Sequence, residues 1–205
     1  MNIRNIIFDL GGVLLNIDFK KTAAAFTGLG VKDFDNYFTQ FHANPLFKSL
    51  EVGGLPDHRF YDELRATASI TAGNNAIDRA WNAMLLDFPS ERVTRLQELG
   101  QQYRLFLFSN TNAIHHAAFH GAFQDRFGFP LDTLFEKAYY SHLIGHRKPD
   151  AEAFHYVIRD SAVEPAETIF IDDTLPNIEA AKAIGLQAAL VAPGKTVIEV
   201  LDEWV

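Results

Sequence analysis

Residues 168–177 read TIFIDDTLPN, with two adjacent carboxylates, Asp172 and Asp173, at the end of a short apolar run. The run is too short for a typical helix and does not alternate between polar and apolar residues, so it predicts a strand with both faces buried. Two similar runs, NIIFDL at residues 5–10 and RLFLFS at residues 104–109, predict two more such strands. The three runs indicate the centre of a parallel sheet.

Helical patterns separate the predicted strands. Further strand patterns occupy residues 137–141 and 187–191, and helical patterns occupy residues 90–103, 150–162 and 176–184. Ser90 is a typical N-cap, and Gly185 is typical of the position that follows a helix C-terminus. Strands that alternate with helices predict an α/β fold with a doubly wound parallel sheet of the Rossmann-like kind.

Residues 19–88 interrupt this alternation. They show no strand pattern and predict four helices, at residues 19–29, 33–42, 56–67 and 74–86. We therefore expect a core built from residues 1–18 and 89–205, with residues 19–88 forming a small helical cap inserted after the first strand. Gly53 and Gly54 predict a turn in this insertion, which is either a linker or a loop that reaches toward Asp9.

The composition excludes several classes of protein. The chain has 205 residues, 48% of them hydrophobic and 21% charged, so it can bury a substantial core. The formal net charge of −8 and the lack of a basic run argue against binding to nucleic acids or anionic membranes. The absence of cysteine excludes disulfides and cysteine-ligated zinc. No signal-peptide pattern and no long apolar stretch is evident, so we expect a cytoplasmic protein.

Polar side chains come at or just after the ends of the predicted strands, or in the loop that follows the strand at 137–141. They are Asp9, Ser109, Asn110, Lys148, Asp172 and Asp173. Open parallel sheets bind ligands at the carboxyl ends of their strands. Carboxylates can act as a nucleophile and as ligands of a hard cation, while hydroxyl, amide and amine groups can donate to phosphate oxygens. The set therefore predicts phosphoryl transfer.

Four segments resemble, in order, the four motifs of the haloacid dehalogenase-like hydrolases. They are FDLGGV at residues 8–13, LFSNT at 107–111, RKPD at 147–150 and FIDDTLPN at 170–177. The resemblance covers residues 3–18 and 89–191, and many members of the family carry a cap where residues 19–88 lie. It implies a Mg²⁺-dependent phosphatase that acts on a small phosphorylated metabolite, for which we favour a sugar phosphate.

The resemblance also implies a role for each residue. Asp9 would be the nucleophile that becomes an aspartyl phosphate. Mg²⁺ would be held by Asp9, the main-chain carbonyl of Gly11 and Asp173, with Asp172 acting through water. Lys148 would neutralise charge in the transition state. The candidates for binding the phosphate are Gly12, Ser109, Asn110 and Arg147. Each residue also has a local alternative, such as capping a turn or lying on the surface.

One position departs from the family's pattern. Most phosphatases of the family have a second Asp two residues after the nucleophile, where it protonates the leaving oxygen; here that position is Gly11. General acid–base help is typically worth about 10²–10⁴-fold. Three explanations are open: a leaving group that needs little protonation, a substitute such as Asp18 or a residue of the insertion, or a protein that binds phosphorylated ligands with little turnover. We favour the first, because a similar DLGN pattern occurs in members that act on sugar 1-phosphates.

Two further alternatives have weaker support. A 2-haloacid dehalogenase also uses an Asp nucleophile without the second Asp, but it needs no metal and leaves the Asp172–Asp173 pair unexplained. Zinc ligands are often spaced as His116 and His120 are, and as His142 and His146 are, yet no third ligand is evident.

Overall fold

The predicted parallel sheet is present. A computed structural model describes residues 2–39 and 43–204. In the described part, five parallel strands form a sheet in the order β3-β2-β1-β4-β5. The strands are β1 (Asn5–Phe8), β2 (Arg104–Ser109), β3 (Lys137–Tyr140), β4 (Thr168–Asp172) and β5 (Gln187–Leu190). The doubly wound α/β fold is thus confirmed, and β1 lies at its centre.

Helices cover both faces of this sheet. They are α5 (Ser90–Leu99), α6 (Ala113–Phe127), α7 (Ser141–Ile144), α8 (Ala151–Ser161), α9 (Leu175–Ala183) and α10 (Val197–Trp204). Ile6 and Phe8 share one buried cluster with residues of α5, α6 and α10, while Ile7 shares the other with residues of α8 and α9. Because successive strand residues point to opposite faces, burial of both faces explains why the central strands are apolar throughout.

The insertion buries a cluster of its own. Its helices are α1 (Phe19–Gly28), α2 (Pro45–Glu51), α3 (Asp57–Ala68) and α4 (Asn74–Asn82). Aromatic rings dominate the cluster: Phe26 stacks on Phe34 at 4.4 Å between ring centroids, and Phe47 lies 4.9 Å from Trp81. Ile114 of α6 joins the same cluster, so the insertion packs directly on the core.

Two chain segments connect the insertion to the core, and they are hydrogen-bonded to each other. Ile17 and Leu85 form an antiparallel bridge. On either side of it, the main-chain N–H of Asn16 donates to the carbonyl of Asp87 and that of Asp18 donates to the carbonyl of Met84, both at 2.9 Å. This pairing orients the insertion over the carboxyl end of β1.

The structure corrects several predicted boundaries. The helix predicted at 33–42 is wrong in its described part, which forms a short 3₁₀ turn at Phe34–Asn36; residues 40–42 lie outside the described residues. Helices α2 and α6 were not predicted, although Asn44 and Asn112 cap them with side-chain oxygens at 3.2 and 3.0 Å from main-chain N–H groups. Ser90 is the first helical residue rather than the N-cap, a position held by Pro89.

Strand ends also differ from the prediction. β1 ends at Phe8 rather than at residue 10, and Ser141 begins α7 rather than ending β3. Gly185 has a φ of +93°, as expected for a residue that follows a helix C-terminus. Among the described residues, no helix combines the length and the apolar character that crossing a bilayer requires.

Candidate active site

Lys148 lies at the centre of the predicted set of residues. Its Nζ donates to Asp9 Oδ1 at 2.7 Å, to Asp172 Oδ2 at 2.8 Å and to the carbonyl of Phe108 at 2.7 Å. The lysine is 1% exposed, and Asp172 is fully buried. The three groups meet because β1 lies between β2 and β4, so the ends of these strands converge on one edge of the sheet. An ammonium group with three acceptors at this range has all its donors satisfied.

Asp172 holds the site together rather than facing the cavity. Besides Lys148, it accepts hydrogen bonds from the main-chain N–H of Thr174 at 2.8 Å and from the side-chain amide of Asn177 at 3.1 and 3.0 Å. Both carboxylate oxygens are therefore engaged within the protein. Asn177, in the first turn of α9, supports the acidic loop through these bonds.

The carboxylates can hold a cation. Asp9, Asp172 and Asp173 each offer an oxygen, and the three atoms lie within 4.8 Å of one another. Gly11, the other predicted ligand, lines the cavity beside Asp9. Oxygen donors with a high negative charge suit Mg²⁺, so the residues present match the predicted ion.

Gly12 makes room for Asp173. Its φ is +75°, and a side chain here would collide with the carboxylate of Asp173. Its N–H donates to the carbonyl of Leu15 at 2.9 Å, so it is already used within the loop. The structure therefore shows that Gly12 lets the acidic loop approach and that its N–H is used within the protein.

Burial raises the proton affinity of the carboxylates. It raises the pKa of Asp9 to about 7, against the opposing effect of Lys148, and it raises the pKa of Asp173 to about 6, with the charge of Asp172 adding to the effect. Like charges this close are unfavourable unless a cation neutralises them. Binding of either protons or a metal ion at this site is therefore favourable.

Mg²⁺ is expected to stabilise the protein more at pH 8 than at pH 5. The folded carboxyls of Asp9 and Asp173 keep protons that the unfolded chain releases near pH 4, so the metal-free protein loses stability as the pH rises through about 6 and 7. Mg²⁺ must displace those protons at low pH but not at high pH. Thermal melts with Mg²⁺ and with EDTA measure the difference. Asp173→Asn should shrink the gain at pH 8, and equal gains at both pH values in wild type would contradict the expectation.

A cavity of about 310 Å³ lies above the carboxylates, between the core and the insertion. Ser109 and Asn110 line it from β2, and Arg147 and Lys148 line it from the loop after α7. Apolar residues supply much of the remaining wall: Leu15, Ile17, Phe19, Phe38, Met84, Leu85 and Phe119. The predicted site residues other than Gly12 and Asp172 thus face one cavity.

Asn110 braces Lys148 with its side chain. Its Nδ2 donates to the carbonyl of Lys148 at 2.8 Å, and its Oδ1 accepts from the main-chain N–H of Lys148 at 2.9 Å. Both ends of the amide are therefore engaged, and the main-chain N–H of Asn110 is a further donor for a ligand. The hydroxyl of Ser109, on a residue that is 3% exposed, stands beside it in the cavity wall.

Arg147 is paired with a residue that the sequence did not point to. Its Nε lies 2.9 Å from Oε2 of Glu51, the last residue of α2, and both side chains line the cavity. Glu51 is 6% exposed, and burial raises its pKa while Arg147 opposes the shift. The only local signal was an acidic residue at a helix C-terminus, where the helix dipole disfavours it.

Four of the eight histidines lie at the cavity or beside one another. His115 lines the cavity: its ring stacks on Trp81 at 4.3 Å, its Nε2 donates to the carbonyl of Trp81, and burial lowers its pKa to about 4. His116, His120 and His142 lie together outside this wall. Within the described chain, three ligand atoms come close enough for a metal only at the Asp cluster.

Asp18 is not placed to replace the missing acid at Gly11. The side chain of Asp18 caps α1 by accepting from the main-chain N–H of Lys20 at 3.0 Å, and it does not line the cavity. A side chain at position 11 would press on Cδ1 of Ile17, at 3.1 Å from the added carbon. Ile17, which lies just before the insertion, therefore crowds the space that the second Asp would use.

Comparison with known proteins identifies the family to which the chain belongs. A model described as haloacid dehalogenase-like hydrolase matches residues 3–185. The D-ribitol-5-phosphate phosphatase of Bacteroides thetaiotaomicron is 33% identical over 90% of both chains, and a sesquiterpene phosphatase of Aspergillus oryzae is 28% identical over 88% of this chain and 85% of its own. A wild-type enzyme of this family from B. thetaiotaomicron, crystallised with magnesium and inorganic phosphate, superposes with a TM-score of 0.88 at 32% identity, over 97% of this chain and 98% of its own. By its sequence and its structure, this chain belongs to the haloacid dehalogenase-like hydrolases.

Proposed function

We propose that this hydrolase is a Mg²⁺-dependent phosphatase of a small phosphate ester and that Asp9 carries the phosphoryl group. The observation that carries the proposal is the contact of Lys148 with Asp9 at 2.7 Å beside an acidic cluster at the base of a cavity. The relatives named for phosphatase activity support it.

Asp9 is placed to attack phosphorus. Lys148 binds its Oδ1, which leaves Oδ2 to form the bond with phosphorus while the bond from phosphorus to the ester oxygen breaks. The ester oxygen leaves as an alkoxide and takes a proton from solvent water. A second water then attacks the phosphorus of the aspartyl phosphate, the bond from phosphorus to Asp9 breaks, and inorganic phosphate leaves with the protons of that water. The hydroxyl of Ser109 and the main-chain N–H of Asn110 would hold the phosphoryl oxygens through both steps, while the charge of Lys148 beside Asp9 would offset the negative charge of the phosphoryl group.

The metal ion would be held mainly by Asp9 and Asp173, with the carbonyl of Gly11. Asp172 would act through water, because its two oxygens already accept hydrogen bonds from Lys148, Thr174 and Asn177. When bound, Mg²⁺ supplies positive charge that offsets the charge of the phosphate and of the carboxylates.

Residues 19–88 would serve as the cap that encloses the substrate. Phe19, Phe38, Glu51 and Met84 of this segment line the cavity opposite the catalytic loops. A covered site excludes water from the reacting centre, which strengthens the electrostatic contacts made there. We also place the protein in the cytoplasm, where small phosphorylated metabolites are found.

A phosphatase screen tests the proposal. Polyol phosphates, sugar 1-phosphates, acyl phosphates and nucleotides are offered with Mg²⁺ and with EDTA, and released phosphate is measured. We expect release from at least one small ester, and its loss in EDTA. Tight binding of phosphorylated compounds without release would favour a binding protein, and halide release from 2-haloacids in EDTA would favour a dehalogenase.

A further inference from the structure

We propose that Glu51 and Arg147 form a subsite for hydroxyl groups of the leaving alcohol, so that the substrate is a polyol or sugar phosphate rather than an apolar ester. The inference rests on the proposed phosphatase function and names its substrate class. One relative is named for a polyol phosphate, D-ribitol 5-phosphate, and another for sesquiterpenes, which are apolar. The residues that line the cavity should therefore show which of these two classes of leaving group fits.

Glu51 and Arg147 are charged side chains that are largely removed from water, which is unfavourable. Glu51 is 6% exposed and the Arg147 side chain is 23% exposed, and each comes from a different part of the fold: α2 of the insertion and the loop that carries Lys148. Taking charges out of water costs several kcal/mol per ion unless they are paired and hydrogen-bonded. A buried ion pair therefore adds little to the stability of the fold. Its position in a largely apolar cavity wall is better explained by a contact with a bound ligand.

The pair has hydrogen-bonding capacity left over. Oε2 of Glu51 and Nε of Arg147 lie 2.9 Å apart, yet their alignment does not make a hydrogen bond, and the described residues offer neither atom another partner. Buried polar atoms without a partner are rare in folded proteins. A hydroxyl group both donates and accepts, so one hydroxyl can donate to the carboxylate and accept from the guanidinium.

Asn112 and His115, two other polar residues of the wall, already have hydrogen-bond partners. Asn112 Oδ1 accepts from the main-chain N–H of His115 at 3.0 Å and from Trp81 Nε1 at 3.4 Å, and His115 is bonded to Trp81. These groups shape the wall and do not need a ligand. Glu51 and Arg147 therefore stand out as wall groups that a ligand can complete.

The position of the pair suits a leaving group. Arg147 precedes Lys148, whose ammonium contacts the nucleophile, so an alcohol bound by Arg147 lies near the reacting phosphate. A hydrocarbon chain in the same place would desolvate Glu51 without offering it a hydrogen bond. Sites built to bond a hydroxyl can reject analogues that lack it by factors of about 10⁴.

Kinetics with three substrates test the proposal. The substrates are D-ribitol 5-phosphate, p-nitrophenyl phosphate, which offers no hydroxyl, and farnesyl phosphate, which is apolar; kcat/KM is measured for wild type, Glu51→Gln and Glu51→Leu. We expect wild type to prefer the polyol ester to the farnesyl ester, and the ratio of kcat/KM for ribitol 5-phosphate to that for p-nitrophenyl phosphate to fall about 10-fold in the Gln variant and about 100-fold in the Leu variant. Glu63→Gln and Glu63→Leu, which change an exposed glutamate of α3, are matched controls that should keep the ratio.

The outcomes separate the two claims. No turnover of any ester by wild type would overturn the phosphatase function itself. Turnover with a preference for farnesyl phosphate, or an unchanged ratio in both Glu51 variants, would overturn the subsite and leave the function standing. Should the Leu variant fail to fold, the isosteric Gln variant decides, with its melting temperature as the check on folding.

Discussion

Replacing Asp9 by Asn is expected to lower kcat by about 10⁴–10⁶-fold, the usual scale for loss of a nucleophile in an enzyme that forms a covalent intermediate. An amide can still accept the hydrogen bond from Lys148, so the geometry is kept while the attacking oxygen is lost. The fold should survive, because burial already penalises the charge of Asp9 and raises its pKa to about 7. At pH 8 the variant should melt no lower than wild type.

Phosphate release and thermal melts measure both effects. Asp125→Asn, at an exposed position of α6, is the matched control and should leave both values unchanged. Trapping with beryllium fluoride adds a second readout, because wild type should bind it and Asp9→Asn should not. Activity within about tenfold of wild type in the Asn variant would mean that another group attacks the phosphorus.

Replacing Lys148 by Met is expected to lower the free energy of unfolding by about 3–5 kcal/mol at pH 8, since removing one partner of a buried ion pair leaves the other charge uncompensated. The substitution removes a hydrogen-bond donor from Asp9, from Asp172 and from the carbonyl of Phe108. The loss should be smaller at pH 5.5, because Asp9, whose pKa is already raised to about 7, can then take up a proton.

Urea denaturation at the two pH values, in EDTA, measures this loss. Mg²⁺ should restore part of the stability at pH 8, because it supplies positive charge to the same carboxylates. Lys182→Met, at an exposed position of α9, is the control and should stay within about 0.5 kcal/mol of wild type. A Lys148→Met protein as stable as wild type at pH 8 would show that the lysine does not hold the carboxylates together.

The absence of an acid at position 11 bears on which substrates turn over quickly. Asp18, the candidate nearest in sequence, is used to cap α1. A leaving group that needs little protonation remains the explanation we favour. The substrate screen decides the matter by ranking sugar 1-phosphates and acyl phosphates against primary alkyl esters such as D-ribitol 5-phosphate.

The catalytic side of the site was predictable because its signals are local. Short buried strands have a clear apolar pattern, and the strands of one parallel sheet end at the same edge. The sequence alone therefore predicted that Asp9 and Asp173 lie close together. Lys148 was predicted to join them because RKPD, at residues 147–150, is the third of the four ordered motifs. The boundaries of the helices were less accurate, and α2 was missed even though Asn44 and Pro45 form a typical helix start.

The sheet, the acidic cluster and the family could be predicted from the sequence, because each depends on local residue patterns or on the residues at strand ends. Three contacts depend instead on tertiary packing: Asn110 braces Lys148, Gly12 leaves space for Asp173, and Glu51 contacts Arg147 in the cavity wall. These three contacts join residues far apart in the chain. Their partners depend on how the insertion and the loops pack, and no local pattern records that packing.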